Sequence, residues 1–452
     1  MNYCIIGAAR SGFAAAKLAS RLGHNVFLTE AAPKEKFADI IPELKKINCR
    51  YEFGGNSFSA LNNCDSVIIS PGVPPGAPIL QKARALNLPI ISELEFAASY
   101  IENPIAAITG TNGKTTTCSL LHFILQQSGK KSILAGNVGF PLSDYVGNIT
   151  PDTYIVLEVS SYQLEFIDKF RPDIAVILNI TPDHISYHGS MENYINAKFK
   201  ISKNQTAADF LITNADDLEL TSHKDIYEKI KSKKLHFSSS PIDWGIYTEG
   251  DSMIYVEQQK KEEIMKLGNL ALPGAHNRYN SMAAAVVAKV WQLRNENIRD
   301  SLMQFQGVEH RLEFVTSING VDYINDSKAT NINATWFALD SYSRPIIWIA
   351  GGLGDNNDYS LLDSLVEKNV EAIITIGKEE DAIFEHYYSK KKCYKAGILE
   401  RAIEIAIDIA KAGEIVLFTP ACKSFDQFLN FEHRGETFKK IVLEASFSKK
   451  LH

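Results

Sequence analysis

Residues 105–117 read Ile-Ala-Ala-Ile-Thr-Gly-Thr-Asn-Gly-Lys-Thr-Thr-Thr, an apolar run that leads directly into a Gly-Lys-Thr loop. The run predicts a buried strand, and the loop predicts the start of a helix. Such a loop surrounds polyphosphate oxygens with backbone N–H groups, while Lys114 neutralises their charge and Thr115 offers a hydroxyl to Mg²⁺. The general pattern has its first glycine where this chain has Ile108, so we expect a variant phosphate loop. The alternative is a glycine-rich structural turn.

The composition is that of a soluble globular enzyme. The chain has 452 residues, of which 45% are hydrophobic and 22% are charged. About three domains are expected at this length. The formal net charge is −6, so no global basic field indicates nucleic acid, and an anionic substrate has to be held by local basic side chains and backbone N–H groups. We therefore expect small-molecule substrates and no nucleic-acid partner.

The sequence carries no signal for secretion or for a membrane. Its N-terminus runs straight into a strand-like segment, and no apolar run of about 18 residues occurs. Six cysteines are scattered without Cys-x-x-Cys spacing, which is typical of reduced thiols in a cytosolic protein. No heptad repeat or long apolar stripe indicates a partner subunit. We predict a cytoplasmic monomer that does not associate with a membrane.

Residues 1–95 alternate strand-like and helix-like segments, which predicts a doubly wound α/β domain. The turn after the first strand, Gly-Ala-Ala-Arg-Ser-Gly at residues 7–12, stands where a dinucleotide-binding turn would be. The glycine that lets a pyrophosphate approach is replaced by Ala9, which argues against a nicotinamide cofactor. Glu30, at the end of the second strand, could still hold a ribose or a base. A nucleotide-like ligand and a purely structural turn both remain open.

A second domain is predicted for residues 96–298, around the phosphate loop. Two short apolar runs, at 154–157 and 174–178, predict further strands, and polar residues follow each of them at once. Ligands of open α/β sheets gather at the carboxyl ends of the strands, so Glu158 and the loop ending in His184 should face the same crevice as the phosphate loop. The carboxylate is a candidate Mg²⁺ ligand, and the histidine could complete a second cation site. The alternatives are a solvated carboxylate and a hydrogen-bonded structural histidine.

A third α/β domain is predicted for residues 299–452, with strands at 345–350, 372–376 and 414–418. The first two of these strands lead directly into glycines, which permit the sharp turns found at strand ends. The fold class expected for the whole chain is α/β with three domains: an N-terminal Rossmann-like domain, a central P-loop ATPase-like domain and a C-terminal Rossmann-like domain.

Three stretches of the second domain resemble the central domain of the Mur ligases. They are Gly-Thr-Asn-Gly-Lys-Thr-Thr at 110–116, Leu-Glu-Val-Ser-Ser-Tyr-Gln-Leu-Glu at 157–165 and Asn-Ile-Thr-Pro-Asp-His at 179–184. Leu-Pro-Gly-Ala-His-Asn at 272–277, followed by Asn280, is similar to the adenine-side segment of this family. Glu-His-Arg-Leu-Glu at 309–313 is similar to the start of its C-terminal domain. The resemblance thus covers the whole chain.

The resemblance implies an ATP-dependent amide-bond ligase of peptidoglycan precursor synthesis, which works through an acyl phosphate. Residues 325–331, 420–428 and 431–435 resemble the branch of the family that adds D-glutamate to UDP-N-acetylmuramoyl-L-alanine. The alternatives are a Mur-type ligase for a different amino acid and a ligase similar to folylpolyglutamate synthase. A nicotinamide dehydrogenase and a catalytically inactive nucleotide-binding protein are competing hypotheses from other classes.

The resemblance also implies cofactors and residue roles. ATP and Mg²⁺ are the expected cofactors, with Thr115, Glu158 and His184 as metal ligands. Lys198 stands at the position of the family's carbamylated lysine, although by itself it would be taken for an ordinary helix-surface lysine. The expected catalytic residues are Lys114, Glu158, His184 and Lys198. The residues expected to bind ATP are Gly110, Thr111, Asn112, Gly113, Lys114, Thr115, Thr116, Asn277, Asn280, Arg311 and Asp326. Those expected to bind the UDP substrate are Arg10, Ser11, Glu30, Ser70, Gly72, Asn137, Gly139, Ser160 and Gln163. Those expected to bind the amino acid are Lys328, Thr330, Ser424 and Phe425.

One loop departs from the resemblance. After Gly351 and Gly352, where D-glutamate-adding ligases usually carry Lys or Arg, this chain reads Leu-Gly-Asp-Asn-Asn-Asp at 353–358. An acid beside a dicarboxylate substrate would repel it by like charge. Three explanations remain open: Lys423 or another base compensates, Asp355 points to solvent, or the amino-acid preference differs.

Overall fold

The computed structural model describes residues 1–272, 274–355 and 357–450. Pro273 and Asn356, each part of a motif quoted above, lie outside the described residues. The chain forms two compact units: Met1–Leu270 with Tyr279–Phe305, and Ala271–Arg278 with Gln306–His452. The short 3-10 helices within these described residues are Lys34–Phe37, Phe58–Leu61, Leu142–Asp144, Lys200–Ser202, Leu267–Asn269 and Tyr359–Leu362.

The first unit begins with a parallel sheet of five strands and its helices. These are β1 (Asn2–Ile6), α1 (Arg10–Arg21), β2 (Asn25–Glu30), α2 (Ile41–Lys46), β3 (Arg50–Phe53), β4 (Ser66–Ile69), α3 (Pro78–Ala85), β5 (Ile90–Ser92) and α4 (Glu93–Ala98). The strand order β3-β2-β1-β4-β5 is that of the Rossmann fold up to its fifth strand. The central strand carries Ile5 opposite Leu28 and Ile68, all fully buried, because a parallel sheet is covered on both faces.

The first unit continues with a sheet of nine strands. Its elements are β6 (Ile105–Thr109), α5 (Lys114–Gln127), β7 (Ser132–Gly136), β8 (Tyr154–Glu158), α6 (Ser161–Glu165), β9 (Ile174–Ile177), α7 (Ile185–His188), α8 (Met191–Phe199), β10 (Phe210–Asn214), α9 (Leu218–Ser222), α10 (Lys224–Lys229), β11 (Lys233–Ser238), β12 (Gly245–Glu249), β13 (Ser252–Glu257), β14 (Lys260–Lys266), α11 (Ala275–Val290) and α12 (Asn295–Gln304). The order is β14-β13-β12-β11-β10-β9-β6-β8-β7, and all neighbouring strands are parallel except the antiparallel pairs β12–β13 and β13–β14. Strand β6 lies between β9 and β8, with Ile108 opposite Val176 and Glu158, so the carboxyl ends of these three strands meet at one edge.

Helix α4 fastens these two sheets together inside the first unit. Both oxygens of the buried Glu95 carboxylate accept hydrogen bonds from the backbone N–H groups of residues 168–170, at 2.8–2.9 Å. Glu93 accepts a hydrogen bond from the Ser143 backbone N–H at 2.7 Å, and burial raises the pKa of Glu93 to about 7. Lys17 forms an ion pair with Asp144 at 2.8 Å. The carboxylates of Glu93 and Glu95 on α4 are therefore both hydrogen-bonded to loops of the nine-stranded sheet.

The second unit contains a sheet of six strands. Its elements are β15 (Glu313–Ile318), β16 (Val321–Asn325), α13 (Ile332–Asp340), β17 (Ile346–Gly351), α14 (Asp363–Asn369), β18 (Val370–Ile376), α15 (Glu380–Tyr387), β19 (Lys392–Gly397), α16 (Leu399–Ile409), β20 (Ile415–Phe418) and α17 (Phe431–Lys450). The order is β15-β16-β20-β17-β18-β19, and only the β15–β16 pair is antiparallel. Trp348 and Phe418 are fully buried on the central strands.

The α/β fold class predicted from the sequence is confirmed, and three sheets follow one another along the chain. The domain boundaries after residues 95 and 298 stay predictions. Some element bounds differ from the expected ones by one residue: the strands expected at 154–157 and 345–350 are Tyr154–Glu158 and Ile346–Gly351.

Candidate active site

The phosphate loop forms as the sequence predicts, between β6 and α5. Gly113 stands before the first residue of α5 with φ +83°, in the left-handed region that favours glycine. A Cβ at Gly113 would lie 2.2 Å from Asn280 Oδ1, so a larger residue here would require the buried Asn280 side chain to move. Lys114 Nζ donates hydrogen bonds to the carbonyl oxygens of Gly110 and Thr111, each at 2.8 Å. The lysine ammonium is thereby folded back over the loop that would surround a polyphosphate.

Hydrogen bonds of the Thr111 hydroxyl hold the phosphate loop against the loop that follows β9. Thr111 Oγ1 accepts a hydrogen bond from the Thr181 backbone N–H at 3.0 Å and donates one to the Thr181 carbonyl at 3.1 Å. It also shares a hydrogen bond of 3.0 Å with the Tyr194 hydroxyl. Alongside, the Asn112 backbone N–H donates to Asn179 Oδ1 at 2.9 Å, and Asn179 Nδ2 donates back to the Asn112 carbonyl at 3.0 Å. These bonds fix two predicted ligand loops relative to each other.

Lys198 is buried beneath the phosphate loop, with 1% of the residue exposed, instead of lying on a helix surface. Its Nζ donates a hydrogen bond to the Gly110 carbonyl at 2.8 Å and lies 4.4 Å from the centre of the Tyr194 ring. Burial lowers the pKa of the Lys198 ammonium well below its ordinary value, and the Lys114 charge lowers it further, while Asp183 acts in the opposite direction. Burial and the Lys114 charge therefore both favour the neutral form of this amine.

Glu158 ends β8 at the carboxyl edge of the sheet and is almost fully buried. Its Oε1 accepts a hydrogen bond from Asn137 Nδ2 at 2.8 Å, whereas its buried Oε2 has no hydrogen-bond partner among the described residues. An unpartnered buried carboxylate oxygen is costly unless a cation or a donor binds it. The residues present therefore fit the Mg²⁺ ion that the family resemblance implies.

His184 lies on the same loop as Thr181, with φ +53°, and its side chain is 43% exposed. Its backbone N–H donates to Asp183 Oδ1 at 2.9 Å, and its ring centre lies 5.0 Å from that of Tyr162. Behind it, His188 is buried and shares a 3.0 Å hydrogen bond with Ser161, and burial lowers the pKa of His188 to about 4. The exposed histidine can bind a ligand, whereas the buried one is part of the wall.

Some of the residues expected to bind the UDP substrate already form hydrogen bonds within the protein, whereas others are exposed or half-buried. The Glu30 carboxylate accepts hydrogen bonds from the backbone N–H groups of Ala8 at 2.7 Å and of Ala32 at 2.8 Å, so it shapes the turn after β1. Ser70 Oγ donates to the Gly7 carbonyl at 3.1 Å. Gly72 is exposed, and Ser11 is half-buried.

Two of these residues meet across the two sheets of the first unit. The exposed Arg10 donates a hydrogen bond to the Gly139 carbonyl, while Asn137 bonds to Glu158. Ser160 and Gln163 cap α6 reciprocally: Gln163 Oε1 accepts from the Ser160 backbone N–H at 2.9 Å, and Ser160 Oγ accepts from the Gln163 backbone N–H at 3.3 Å. The structure thus gives Ser160 and Gln163 a local role, and their contact with a substrate stays a prediction.

In the second unit, Asp326 follows β16 and is buried. Its carboxylate accepts hydrogen bonds from Thr419 Oγ1 at 2.9 Å and from the Leu312 backbone N–H at 3.2 Å. Burial raises the pKa of Asp326 to about 6, against the opposing effect of the Arg311 charge. Arg311 Nε is buried and has no hydrogen-bond partner among the described residues. The two side chains expected to meet the ATP phosphates are therefore close enough within this unit for their charges to interact.

Asn277 and Asn280 both lie on α11, but they fall in different units. Asn277 belongs to the short stretch Ala271–Arg278, which is grouped with the second unit. Asn280 belongs to the first unit, where its Oδ1 also accepts a hydrogen bond from Thr117 Oγ1 at 3.4 Å. Thr115 and Thr116, in the first turn of α5, are buried.

Arg434 is a buried basic residue to which sequence reasoning assigned no role. Its Nε and Nη2 donate to Ser327 Oγ and to the Ser327 carbonyl at 3.0 and 2.7 Å, and its Nη1 donates to the Cys422 carbonyl at 3.1 Å. It therefore ties together the two segments that carry Lys328 and Ser424. The signal in the sequence was that Arg434 lies within the stretch 431–435, which resembles the D-glutamate-adding branch. The arginine alone gives no indication that it is buried. Thr330 is half-buried and Phe425 is exposed on these segments.

The acid in the unusual loop has a basic partner. Lys423 Nζ donates a hydrogen bond to Asp355 Oδ2 at 2.8 Å, and the two residues form an ion pair. Of the three explanations left open by the sequence, this pairing agrees with compensation by Lys423.

Comparisons with known proteins decide the family. Residues 108–288 match the Mur ligase middle domain, and residues 310–422 match the Mur ligase glutamate ligase domain. The chain is 40% identical over 449 residues to a UDP-N-acetylmuramoylalanine–D-glutamate ligase of Salinibacter ruber, covering 97% of this chain and 96% of the relative. The chain belongs to the Mur ligase family. As a Mur ligase it is an ATP-dependent amide-bond ligase, and the recognition made from its motifs is confirmed.

Other relatives agree with this membership. The chain is 40% identical over 450 residues to a ligase of the same name from Bacteroides fragilis, covering 97% of this chain and 99% of the relative. Among solved structures, the UDP-N-acetylmuramate-alanine ligase of Thermotoga maritima shares the Mur ligase fold with a TM-score of 0.62 at 20% identity, covering 98% of this chain and 100% of that one. A second Thermotoga maritima ligase, whose structure is a complex with ADP, has a TM-score of 0.58 at 15% identity, covering 93% and 96%.

The described part of this Mur ligase contains no helix that combines the length and the apolar character needed to cross a membrane. The predictions of a cytoplasmic location and of a monomer stay predictions.

Proposed function

We propose that this Mur ligase joins D-glutamate to UDP-N-acetylmuramoyl-L-alanine with the hydrolysis of ATP to ADP and phosphate. The observation that carries the proposal is the convergence of Lys114 and Lys198 on the Gly110 carbonyl, in the loop after β6, together with the unpartnered Glu158 oxygen at the end of the adjacent strand β8. The choice of substrates is supported by the near full-length similarity to ligases that carry this name.

The proposed chemistry has two steps. The terminal carboxylate of the UDP substrate attacks the γ-phosphorus of ATP, so that a bond to the carboxylate oxygen forms, the bond to the β-phosphate oxygen breaks and ADP leaves. The amine of D-glutamate then attacks the acyl carbon, phosphate leaves and the amine gives up a proton. Lys114 neutralises the phosphate charge in the first step, because two anions must approach each other. Removal of bulk water protects the acyl phosphate from hydrolysis.

Thr115, Glu158 and His184 are the residues that would hold Mg²⁺. Bound there, the metal would withdraw charge from the phosphoryl oxygens during transfer. The unpartnered Glu158 Oε2 supports this assignment, as does the exposed ring of His184 on the neighbouring loop. Asn137 fixes the other Glu158 oxygen, so the free oxygen has one orientation.

Lys198 is proposed to carry a carbamate. Its lowered pKa favours the neutral, nucleophilic form of the amine, whose nitrogen would attack CO₂ and lose a proton, which yields a carbamate anion. That anion would relieve the repulsion between Lys198 and Lys114. It would also add a negative group to the metal-binding edge of the sheet.

The remaining ligands are proposed to bind at the residues named from the resemblance. The UDP end is assigned to the turns after β1 and β4, where Arg10, Ser11, Ser70 and Gly72 stand beside the engaged Glu30. The amino acid is assigned to the second unit at Lys328, Thr330, Ser424 and Phe425. There the buried Arg434 supports both segments.

Phosphate release tests the proposal. The purified protein is supplied with ATP, Mg²⁺ and UDP-N-acetylmuramoyl-L-alanine, and D-glutamate is compared with L-glutamate, D-aspartate, L-lysine and glycine. The proposal expects release that depends on D-glutamate. Phosphate release with L-lysine or glycine instead of D-glutamate would show that the enzyme adds a different amino acid. No release with any of the amino acids would overturn the assignment of the nucleotide substrate.

A further inference from the structure

We propose that Lys423 provides the positive charge that recognises the second carboxylate of a dicarboxylic amino acid, and that this carboxylate competes with Asp355 for the lysine ammonium. This inference rests on the proposed function, because it requires an amino acid with two carboxylates. It assigns the selection of a dicarboxylate to a residue that the sequence offered only as a compensating charge.

The backbone around Lys423 is fixed against the end of β17. The Leu353 backbone N–H donates to the Lys423 carbonyl at 2.8 Å, and the Lys423 backbone N–H donates back to the Leu353 carbonyl at 3.0 Å. Gly352, with φ +137°, makes this approach possible, since a Cβ there would lie 2.4 Å from the Lys423 carbonyl oxygen. The two loops are therefore held side by side, and the side chains of Asp355 and Lys423 meet.

Arg434 places Lys423 next to the predicted amino-acid segment. The same guanidinium binds the carbonyls of Ser327 and Cys422, which directly precede Lys328 and Lys423. Lys328 and Lys423 each follow a residue whose carbonyl oxygen is held by the Arg434 guanidinium, which is a rigid planar group. Two cationic contacts suit a dicarboxylate, and under this proposal Lys328 and Lys423 would supply them from two different loops.

Lys423 is suited to exchange partners, whereas Arg434 is not. The Lys423–Asp355 pair is exposed, at 42% and 63% of the two side chains, so it contributes little to stability and a ligand can compete for it. A lysine ammonium has three donors, of which Asp355 takes one. Arg434 is buried, and its donors are directed to Ser327 and Cys422. The substrate carboxylate would therefore be met by the lysine.

Steady-state kinetics with four variants test the inference. Lys423→Gln is expected to raise the KM for D-glutamate about ten- to a hundredfold, the range for losing a hydrogen bond between charged groups. The KM for ATP should stay within about twofold, and Lys423→Arg should retain most of the affinity for D-glutamate. Asp355→Asn should not raise the KM for D-glutamate, because it removes a like charge. Lys390→Gln is the matched control: Lys390 pairs with Asp363 at 2.6 Å, and its side chain is 46% exposed.

The outcomes separate the two claims. An unchanged KM for D-glutamate in Lys423→Gln, or an equal rise in Lys390→Gln, would overturn the role of Lys423 while the ligase assignment stood. If the wild type used D-aspartate instead of D-glutamate and Lys423→Gln raised that KM, the role of Lys423 would stand and the proposed substrate would fail. Turnover of wild type with an uncharged or cationic amino acid alone would overturn both.

Discussion

Lys198 Nζ donates a hydrogen bond to the carbonyl oxygen of Gly110 across 2.8 Å, from a helix 88 residues further along the chain. The phosphate loop therefore rests on a buried amine that belongs to another element. The carbonyl that receives this bond also receives one from Lys114, so two basic groups of the site share a single acceptor.

The buried ammonium predicts a pH-dependent cost. Because the folded-state pKa of Lys198 is lowered, the unfolded chain binds more protons than the folded protein between that lowered pKa and the ordinary lysine pKa. The free energy of unfolding should therefore rise with pH across this window and level off above it. In buffer free of CO₂, Lys198→Met is expected to be more stable than wild type by ~1–3 kcal/mol near neutral pH, and the gap should narrow in alkali. Urea unfolding at several pH values measures it, and a gap that widened with pH would contradict the burial argument.

Gly113→Ala should damage both stability and ATP binding. The new Cβ would meet Asn280 Oδ1 at 2.2 Å, in addition to the strain at φ +83°. We expect a loss of ~2–4 kcal/mol in the free energy of unfolding and a rise of about tenfold or more in the KM for ATP. Gly129→Ala is the control, because φ is +69° there but no atom lies within 4 Å of the new Cβ. It should cost only ~1–2 kcal/mol and leave the KM for ATP unchanged. Equal effects at both positions would show that the contact with Asn280 is unimportant.

Glu158→Gln should remove a metal ligand while preserving the size of the side chain. The glutamine amide is uncharged, whereas the Glu158 carboxylate has an unpartnered Oε2 that can bind a cation. Mg²⁺ should therefore no longer stabilise the variant in thermal unfolding. The turnover rate should fall about a hundredfold or more. Glu165→Gln provides the comparison, since Glu165 pairs with Lys200 at 2.9 Å on the neighbouring helix α6. A normal response to Mg²⁺ in Glu158→Gln would move the metal elsewhere.

Asp326→Asn should change how stability depends on pH. The folded-state pKa of about 6 exceeds the ordinary value of 3.8, so between these values the folded protein holds a proton that the unfolded chain releases. The stability of wild type should therefore fall as pH rises from about 4 to about 6, by ~3 kcal/mol for this group. The asparagine variant lacks this dependence, so its stability relative to wild type should increase across that window and then level off. Urea midpoints from pH 4 to 7.5 give the answer, and a constant difference would contradict the raised pKa.

Local patterns in the sequence predicted the frame of the site. The apolar run at 105–109 is short, continuous and followed by glycines. Such a run is typical of a strand in a parallel sheet, which is buried on both faces. Glu158 and the loop after residue 178 were placed at the same sheet edge because parallel strands end together. The structure has both features.

Long-range contacts were outside the reach of these patterns. The burial of Lys198 depends on how α8 packs under the phosphate loop, and a lysine in a polar helix gives no sign of it. Arg434 reaches Ser327 across 107 residues, and Lys423 reaches Asp355 across 68. Charge complementarity can suggest such a pair, as it did for Lys423, but only the packing of the loops decides which partner is met.

The most direct test of the account is the identity of the nucleotide product. The purified protein is incubated with ATP, Mg²⁺, UDP-N-acetylmuramoyl-L-alanine and D-glutamate, and the products are separated and weighed by mass spectrometry. We expect a UDP-linked product that has gained one glutamyl residue, in amounts equal to the ADP formed, and no such product with L-glutamate. ADP formed without a new nucleotide, or a product that incorporates L-glutamate equally well, would contradict it.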